Sequence, residues 1–530
     1  MNVAIMDPRL RESNNSSAAD HFREKARFCR PDCPAQSPRI TIERSARGVD
    51  ERPRPHARVG RSWSAPGISP APPWMAQFTG PLVSYPARVS FAAYALTILV
   101  GGFVLTLPVS RQPGRPPVSL VDGVFTATSA CCVTGLTVRS TAHDFSAFGQ
   151  GVILFLIQLG GLGIMTITTL VAFQLGGQAT LRQRAVIADT LGIKSGRDLR
   201  WVAWALLGTV LLCEAVGCVG LCWASWGTAP AAEVAWTSLF HSISAFCNAG
   251  FALHDQNLVP DRGDAVVNLV ICGLIILGGL GFPVIFDVCS RLWRREPLWD
   301  RLHTQSKMML IGTAVLLAAG AATFWALEWE QAIAQEPVGT KLLMGLFHST
   351  TCRTAGFNTV DYGALSSATL FLAIILMAIG AGPCSTAGGF KVSTATTLVA
   401  SAWSSFRGFK HVNFFKRTIP ENAIARATAT ALVFVAVAIL ALVTLLVVEA
   451  HNPLASRPRW FLESLFECIS ALGTVGLSTG ITAGLSDPGK LVLVALMIAG
   501  RLGPLTAAVA LSRQRQPWQP AYPEEEPLVG

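Results

Sequence analysis

Phe240-His241-Ser242-Ile243-Ser244-Ala245-Phe246-Cys247-Asn248-Ala249-Gly250-Phe251 is a short amphipathic segment that runs into a glycine-centred turn, and three other stretches follow the same pattern. Their turns read Cys132-Val133-Thr134-Gly135-Leu136, Arg353-Thr354-Ala355-Gly356-Phe357 and Gly473-Thr474-Val475-Gly476-Leu477. The four glycines stand 115, 106 and 120 residues apart (positions 135, 250, 356 and 476). Phe125, Phe240 and Phe466 each precede their glycine by ten residues, and Phe347 precedes Gly356 by nine. The chain is therefore an internal fourfold repeat with one residue missing in its third copy.

The sequence around the turns is apolar in blocks long enough to cross a bilayer, which takes about 20 residues per helix. Examples are 91–107, 151–175, 266–286, 370–379 and 431–448. Of 530 residues, 51% are hydrophobic and 14% charged, against about 25% charged in a soluble domain. The segments before the turns, 121–132, 235–247, 342–352 and 461–472, are too short and polar to span. Backbone leaves a helix at membrane depth only where protein or a water-filled cavity surrounds it, so these four read as re-entrant pore helices around an axis. The expected fold is an all-α polytopic membrane protein: four M1–pore loop–M2 repeats in pseudo-fourfold arrangement, with eight transmembrane helices and four re-entrant helices. Expected boundaries are a basic N-terminal extension over 1–80, repeats over 81–180, 181–292, 293–408 and 409–513, and a cytoplasmic tail over 514–530.

The net charge of +10 does not point to nucleic acid, because its bases gather in alternate connections. Arg182, Arg184, Lys194, Arg197 and Arg200 share one; Arg291, Arg294, Arg295, Arg301 and Lys307 another; Arg407, Lys410, Lys416 and Arg417 a third. Asp255, Asp261 and Asp264, or Glu328, Glu330 and Glu336, lie in the intervening ones. The positive-inside rule puts the basic loops and both termini in the cytoplasm. The thirteen cysteines are scattered through apolar segments, where a free thiol acts as a small hydrophobe, and none has metal-site spacing. Residues 1–80 are rich in Arg, Pro and Ser without an apolar run, which predicts disorder and excludes a signal peptide. Either Met75 is the true start, or the segment is a basic tail that touches anionic lipid.

A dehydrated alkali cation needs several oxygens at once, and rings of backbone carbonyls supply them. Glycine permits positive φ, so carbonyls on either side can turn toward one axis. Small or β-branched neighbours (Val133, Thr134, Ala249, Ala355, Thr474, Val475) leave room for the strand against its helix. No carboxylate lies in the turns, which disfavours a calcium-type ring, and Arg353, the one base among them, is expected to point off the axis. The alternative is that the glycines merely close turns between spans. His241 and His348 follow their matched Phe and either hold the pore helices by hydrogen bonds or relay protons.

A second constriction is written in the spans that follow. Gly160-Gly161-Leu162-Gly163, Gly278-Gly279-Leu280-Gly281, Gly380-Ala381-Gly382-Pro383 and Gly500-Arg501-Leu502-Gly503-Pro504 are expected to break the helix at corresponding places. In the third, Gly380, Gly382, Pro383, Ser385, Thr386, Gly388 and Gly389 interrupt an apolar helix, and Pro alone costs a helix about 3 kcal/mol. Residues 380–390 are expected to unwind into the cavity below the filter, with Lys391 anchoring them. Arg501 lies inside the apolar stretch 491–511, where a charge costs about 2.5–3.5 kcal/mol and usually marks a pathway. It should face the same axis, slow cations and reach the carbonyls of 380–390; the alternative is an arginine that snorkels to an interface.

Thr134-Gly135-Leu136-Thr137, Phe246-Cys247-Asn248-Ala249-Gly250-Phe251, Arg353-Thr354-Ala355-Gly356-Phe357-Asn358-Thr359 and Thr474-Val475-Gly476-Leu477-Ser478 resemble the four filter segments of the Trk/Ktr/HKT potassium transporters, over about 85–512. The resemblance implies a potassium-selective filter with Gly135, Gly250, Gly356 and Gly476, one from each repeat. The filter set is then Val133, Thr134, Gly135, Asn248, Ala249, Gly250, Thr354, Ala355, Gly356, Thr474, Val475 and Gly476. It also implies a gate at the 380–390 loop and Arg501. No extra helix pair precedes the first repeat, so the chain is more similar to the Ktr-type membrane subunit. That subunit's family implies a homodimer on a cytosolic ring of nucleotide-binding (RCK/KTN-type) regulatory subunits, in a bacterial inner membrane. No GxGxxG opens a soluble βαβ unit here, so nucleotide is expected on that separate chain and no cofactor on this one, with potassium as substrate. The Thr-Val-Gly-Tyr-Gly filter of potassium channels is absent, which leaves room for sodium passage. A sodium-preferring member would be marked by a non-glycine residue in the first turn, where Gly135 stands. A membrane enzyme using Cys or His chemistry would need a Cys/His/carboxylate cluster that the sequence does not contain.

Overall fold

The computed structural model describes residues 86–163, 199–295, 297–415 and 417–503. The 1–80 extension, most of the first basic connection and the 514–530 tail lie outside the described residues. Within them the chain forms fifteen α-helices and one small hairpin, arranged as four sets in one order: apolar helix, short helix, extended turn, second apolar helix. The first set is α1 (Pro86–Thr106), α2 (Leu120–Cys131) and α3 (Ala147–Leu162). The second is α4 (Leu199–Ala224), α5 (Ala231–Phe246) and α6 (Ala265–Leu280), which α7 (Phe282–Trp293) continues after a bend. A single turn, α8 (Leu298–Arg301), leads to α9 (Thr304–Glu328), α10 (Val338–Thr351) and α11 (Ser367–Ala378), with α12 (Val392–Phe406) beyond an interruption. The last set is α13 (Glu421–Val448), α14 (Trp460–Gly473) and α15 (Asp487–Leu502). Strands β1 (Asn413–Phe414) and β2 (Arg417–Thr418) pair antiparallel before it, Asn413 opposite Thr418.

Local chemistry starts these helices. Ser119, Ser146, Ser366 and Ser486 each cap one by accepting a hydrogen bond from the backbone N–H three residues on, the partner an exposed first turn otherwise lacks. Three apolar helices, 204–224 within α4, α9 and α13, are long enough to cross a membrane, and α6 with α7 makes a fourth if the 102° bend is counted as one broken span. The apolar part of α1 (Ala92–Thr106), α3 and α11 are shorter. A glycine with positive φ stops three of the second helices: Gly163, Gly281 and Gly503, at +79°, +87° and +84°. The preceding pairs Gly160-Gly161 and Gly278-Gly279 stay helical.

The sets close on themselves. Each second helix packs on the next set's short helix: α3 on α5, α6 on α10, α11 on α14, and α15 back on α2. Under the short helices lie Phe125, Phe240, Phe347 and Phe466, all buried, and burying each removes ~1.5–3 kcal/mol worth of apolar surface from water. Large apolar side chains are exposed on the outward helices instead, among them Val216 and Val219 on α4 and Leu432, Ile439 and Val443 on α13. Two basic connections meet: the Trp299 and Phe415 rings are 5.8 Å apart, edge to face, and Lys307 Nζ lies 5.6 Å from the Phe415 ring.

Candidate functional site

Glycine conformation decides the geometry of the turns. Gly135, Gly250, Gly356 and Gly476 have φ of +99°, +70°, +78° and +92°. Two residues earlier, Val133, Asn248, Thr354 and Thr474 take φ of +55°, +59°, +70° and +51°, an uncommon conformation for residues with a Cβ. Four side chains held there in matched places mean that the surroundings over-determine the backbone.

Each glycine also leans on the next turn. A Cβ on Gly135 would strike the Ala249 carbonyl; on Gly250 it would lie 2.8 Å from the Ala355 oxygen; on Gly356, 2.5 Å from that of Val475; on Gly476 it would strike the Thr134 carbonyl. The order runs 1, 2, 3, 4 and returns to 1. The oxygen met is always that of the residue before the neighbour's glycine, so four carbonyls are gathered at one level. Thr134, Ala249, Ala355 and Val475 are all buried.

Hydroxyls at the ends of the short helices clamp this ring. Ser129 Oγ accepts from Gly135 N (3.0 Å) and Ser470 Oγ from Gly476 N (3.1 Å). Ser244, Thr351 and Ser470 donate to the carbonyls of Phe251, Phe357 and Leu477 at 2.8, 2.5 and 2.7 Å. The backbone oxygens of Ser129, Ser244, Thr351 and Ser470 accept from the N–H before each glycine at 2.7–3.0 Å. Sequence reasoning missed these four residues. Each stands four after its matched Phe, a spacing that was available, and it locates the third copy's missing residue between Thr351 and Gly356.

In three sets the residue after the matched Phe ties down the outgoing segment; in the first, Thr126 donates to Asp122 O of its own helix instead. His241 Nε2 accepts from Leu253 N (3.1 Å), and a Glu467 oxygen accepts from Thr479 N (3.0 Å); both donors lie three beyond their glycine. His348 Nδ1 lies 2.9 Å from the Tyr362 hydroxyl. His241 thus holds the strand leaving its turn, and His348 holds the segment beyond its own, at Tyr362. Glu467 does the same work in the fourth set, and the sequence reading did not single it out.

Below the ring, α11 stops at Ala378 and helix resumes at Val392. Every buried carbonyl and N–H of such a loop needs a partner. Gly382 N donates to Gly279 O (2.8 Å), Thr386 N to Gly278 O (3.3 Å), Gly380 N to Phe390 O (2.8 Å) and Gly388 N to Thr474 Oγ1 (3.1 Å). Thr386 Oγ1 donates to Phe246 O (3.2 Å), and Ser385 Oγ to Gly382 O (2.7 Å). Pro383, which has no N–H, sits at the loop's tip, its carbonyl beside Gly281. Gly389 supplies φ of +66° where the loop passes Gly473. Lys391 Nζ donates to the oxygens of Ala387 (2.7 Å) and Gly388 (3.1 Å), anchoring the loop.

Arg501 joins three sets. From α15 its guanidinium donates to Thr386 O in the loop and to Gly160 O in α3. Its side chain thus turns toward carbonyls of the third and first sets. The sequence reading took Gly160, Gly278 and Gly500 as helix breakers; they remain helical, and their lack of a Cβ instead admits the carbonyls of Cys131, Phe246 and Leu472. Arg353 is buried, with no side-chain hydrogen bond or ion pair among the described residues. Among the same residues no group of His, Cys, Asp and Glu is placed to hold a metal ion.

The family model for TrkH, a cation transport protein, matches residues 105–519. "Ktr system potassium uptake protein B" of Vibrio alginolyticus is 39% identical over 450 residues, 84% of this chain and 94% of that one. "Potassium/sodium uptake protein NtpJ" of Enterococcus hirae is 35% identical over 448 residues, 84% of this chain and 97% of that one. Among solved structures, the potassium transporter TrkH from Vibrio parahaemolyticus superimposes with a TM-score of 0.61 at 18% identity, over 79% of this chain and 83% of that one, a likeness of fold.

Proposed function

The chain belongs to the TrkH family of cation transport proteins, and from that premise we propose that it carries potassium into the cell through the ring of Gly135, Gly250, Gly356 and Gly476. Membership makes it a membrane transporter and not an enzyme. The observation that carries the reading is the cyclic contact of four glycines with four carbonyls, the kind of oxygen cage that replaces an alkali ion's hydration shell. Each of the four sets then forms one M1–pore loop–M2 repeat, with the boundaries expected from sequence, eight spans in all and both termini in the cytoplasm of the bacterial inner membrane.

Residues 380–390 and Arg501 act as the gate in this reading. Arg501 places a fixed positive charge below the ring and bolts the loop to the first and fourth sets, so cations pass once that bolt is withdrawn. Relatives named as parts of a "Ktr system" support a multi-component assembly: a homodimer of this chain on a separate cytosolic nucleotide-binding subunit of RCK/KTN type. A second reading, sodium passage alongside potassium, is favoured by the relative named as a potassium/sodium uptake protein.

Uptake of rubidium and sodium into vesicles holding the purified chain tests the filter. Gly250→Ser, whose side chain meets the Ala355 carbonyl at positive φ, should lower potassium-over-sodium selectivity at least tenfold. Unchanged selectivity in a well-expressed variant would refute the filter assignment.

A further inference from the structure

Behind the third turn lies a small cavity of about 10 Å³, lined by Ile276, Gly279, Leu280, Leu317, Thr313 and Arg353. Thr313 and Arg353 are each 6% exposed, and neither Thr313 Oγ1 nor Arg353 Nε has a hydrogen-bond partner. Thr313 breaks the habit of its neighbours. Thr323, Thr396 and Thr444 each donate to the carbonyl four residues back, at 2.8–2.9 Å, which is how a helical threonine ordinarily spends its hydroxyl in an apolar setting. Arg353 is the more costly departure, since a buried cation without a counter-charge is strongly destabilising. The nearby end of α10 offers at most about half a negative charge.

We propose that Arg353 and Thr313 bind one small inorganic anion, of halide type, behind the third turn. Both groups are donors, so what joins them is an acceptor. A water molecule would satisfy hydrogen bonds and leave the charge unneutralised, whereas a monovalent anion does both. Arg353 directly precedes Thr354 of the turn, so its charge stands beside the cation path. Neutralising it removes a repulsion that potassium would otherwise meet at the third glycine. That consequence for flux rests on the filter reading; the binding itself does not.

The test uses the full chain in nanodiscs of zwitterionic lipid, in choline salts at fixed potassium, with bromide titrated against gluconate. Bromide should raise the melting temperature to a plateau, by about 2–4 °C. The rise should vanish in Arg353→Gln and in the nearly isosteric Thr313→Val, which guards against misfolding of the former. Equal melting in bromide and gluconate, or a rise that both variants keep, overturns the site. In vesicles, replacing halide by gluconate should slow rubidium uptake severalfold in the wild type and leave Thr313→Val unmoved. Halide-dependent melting with halide-independent uptake overturns the neutralising role, while the selectivity of Gly250→Ser judges the filter separately.

Discussion

The four turns and the 380–390 loop are both irregular backbone buried among helices, yet they are held in opposite ways. Each turn is clamped by its own short helix, through Ser129, Ser244, Thr351 or Ser470, and then leans on a neighbour. The loop takes most of its partners from other sets: Gly278 and Gly279 of the second, Thr474 and Arg501 of the fourth. Local clamps keep a geometry whatever the sets do relative to one another. Borrowed partners hold only while the sets stay in place. In the function proposed above, selectivity rests on the first kind of support and gating on the second.

The sharpest way to break this contrast is at the ring. Gly476→Ala puts a methyl group against the Thr134 carbonyl with φ at +92°, and rubidium uptake should fall at least tenfold, about 1.4 kcal/mol or more. Retained uptake would mean the turns are not mutually constrained. Next comes the bolt. Arg501→Ala removes two hydrogen bonds that cross sets and should raise flux severalfold; a fall at normal expression would sink the gate. The smallest effect is expected at a single clamp. Ser470→Ala deletes bonds worth about 1 kcal/mol each and should lower potassium-over-sodium selectivity a fewfold with uptake largely kept. If it instead opened the transporter as Arg501→Ala does, the division between local and borrowed support would fail.

The turns and the broken third helix were legible in the sequence because single residues betray them. Gly with a Phe ten residues earlier is a countable signal, and an arginine in an apolar stretch has few bland explanations. The clamps were not, since a serine in a polar helix looks ordinary until four copies are laid side by side. Nor was the use of Gly160, Gly278 and Gly500. Glycine in a helix reads as weakness, and only a neighbouring carbonyl reveals it as room. That Arg501 bridges to α3 depends on which sets adjoin, which follows from packing and not from any local pattern.

The closed order of the glycines has a consequence for how the protein is made. Gly476 leans on Thr134, so the first turn obtains its last neighbour only when the fourth has been synthesised. At about 5–20 residues per second that interval is roughly 20–70 s. During it the second and third turns are made in succession, and the arc stays open, its left-handed residues Val133, Asn248 and Thr354 resting on their own clamps. Closure of the ring is thus the last step of synthesis, and, if the ring is the proposed filter, a chain truncated before α14 should take up no rubidium.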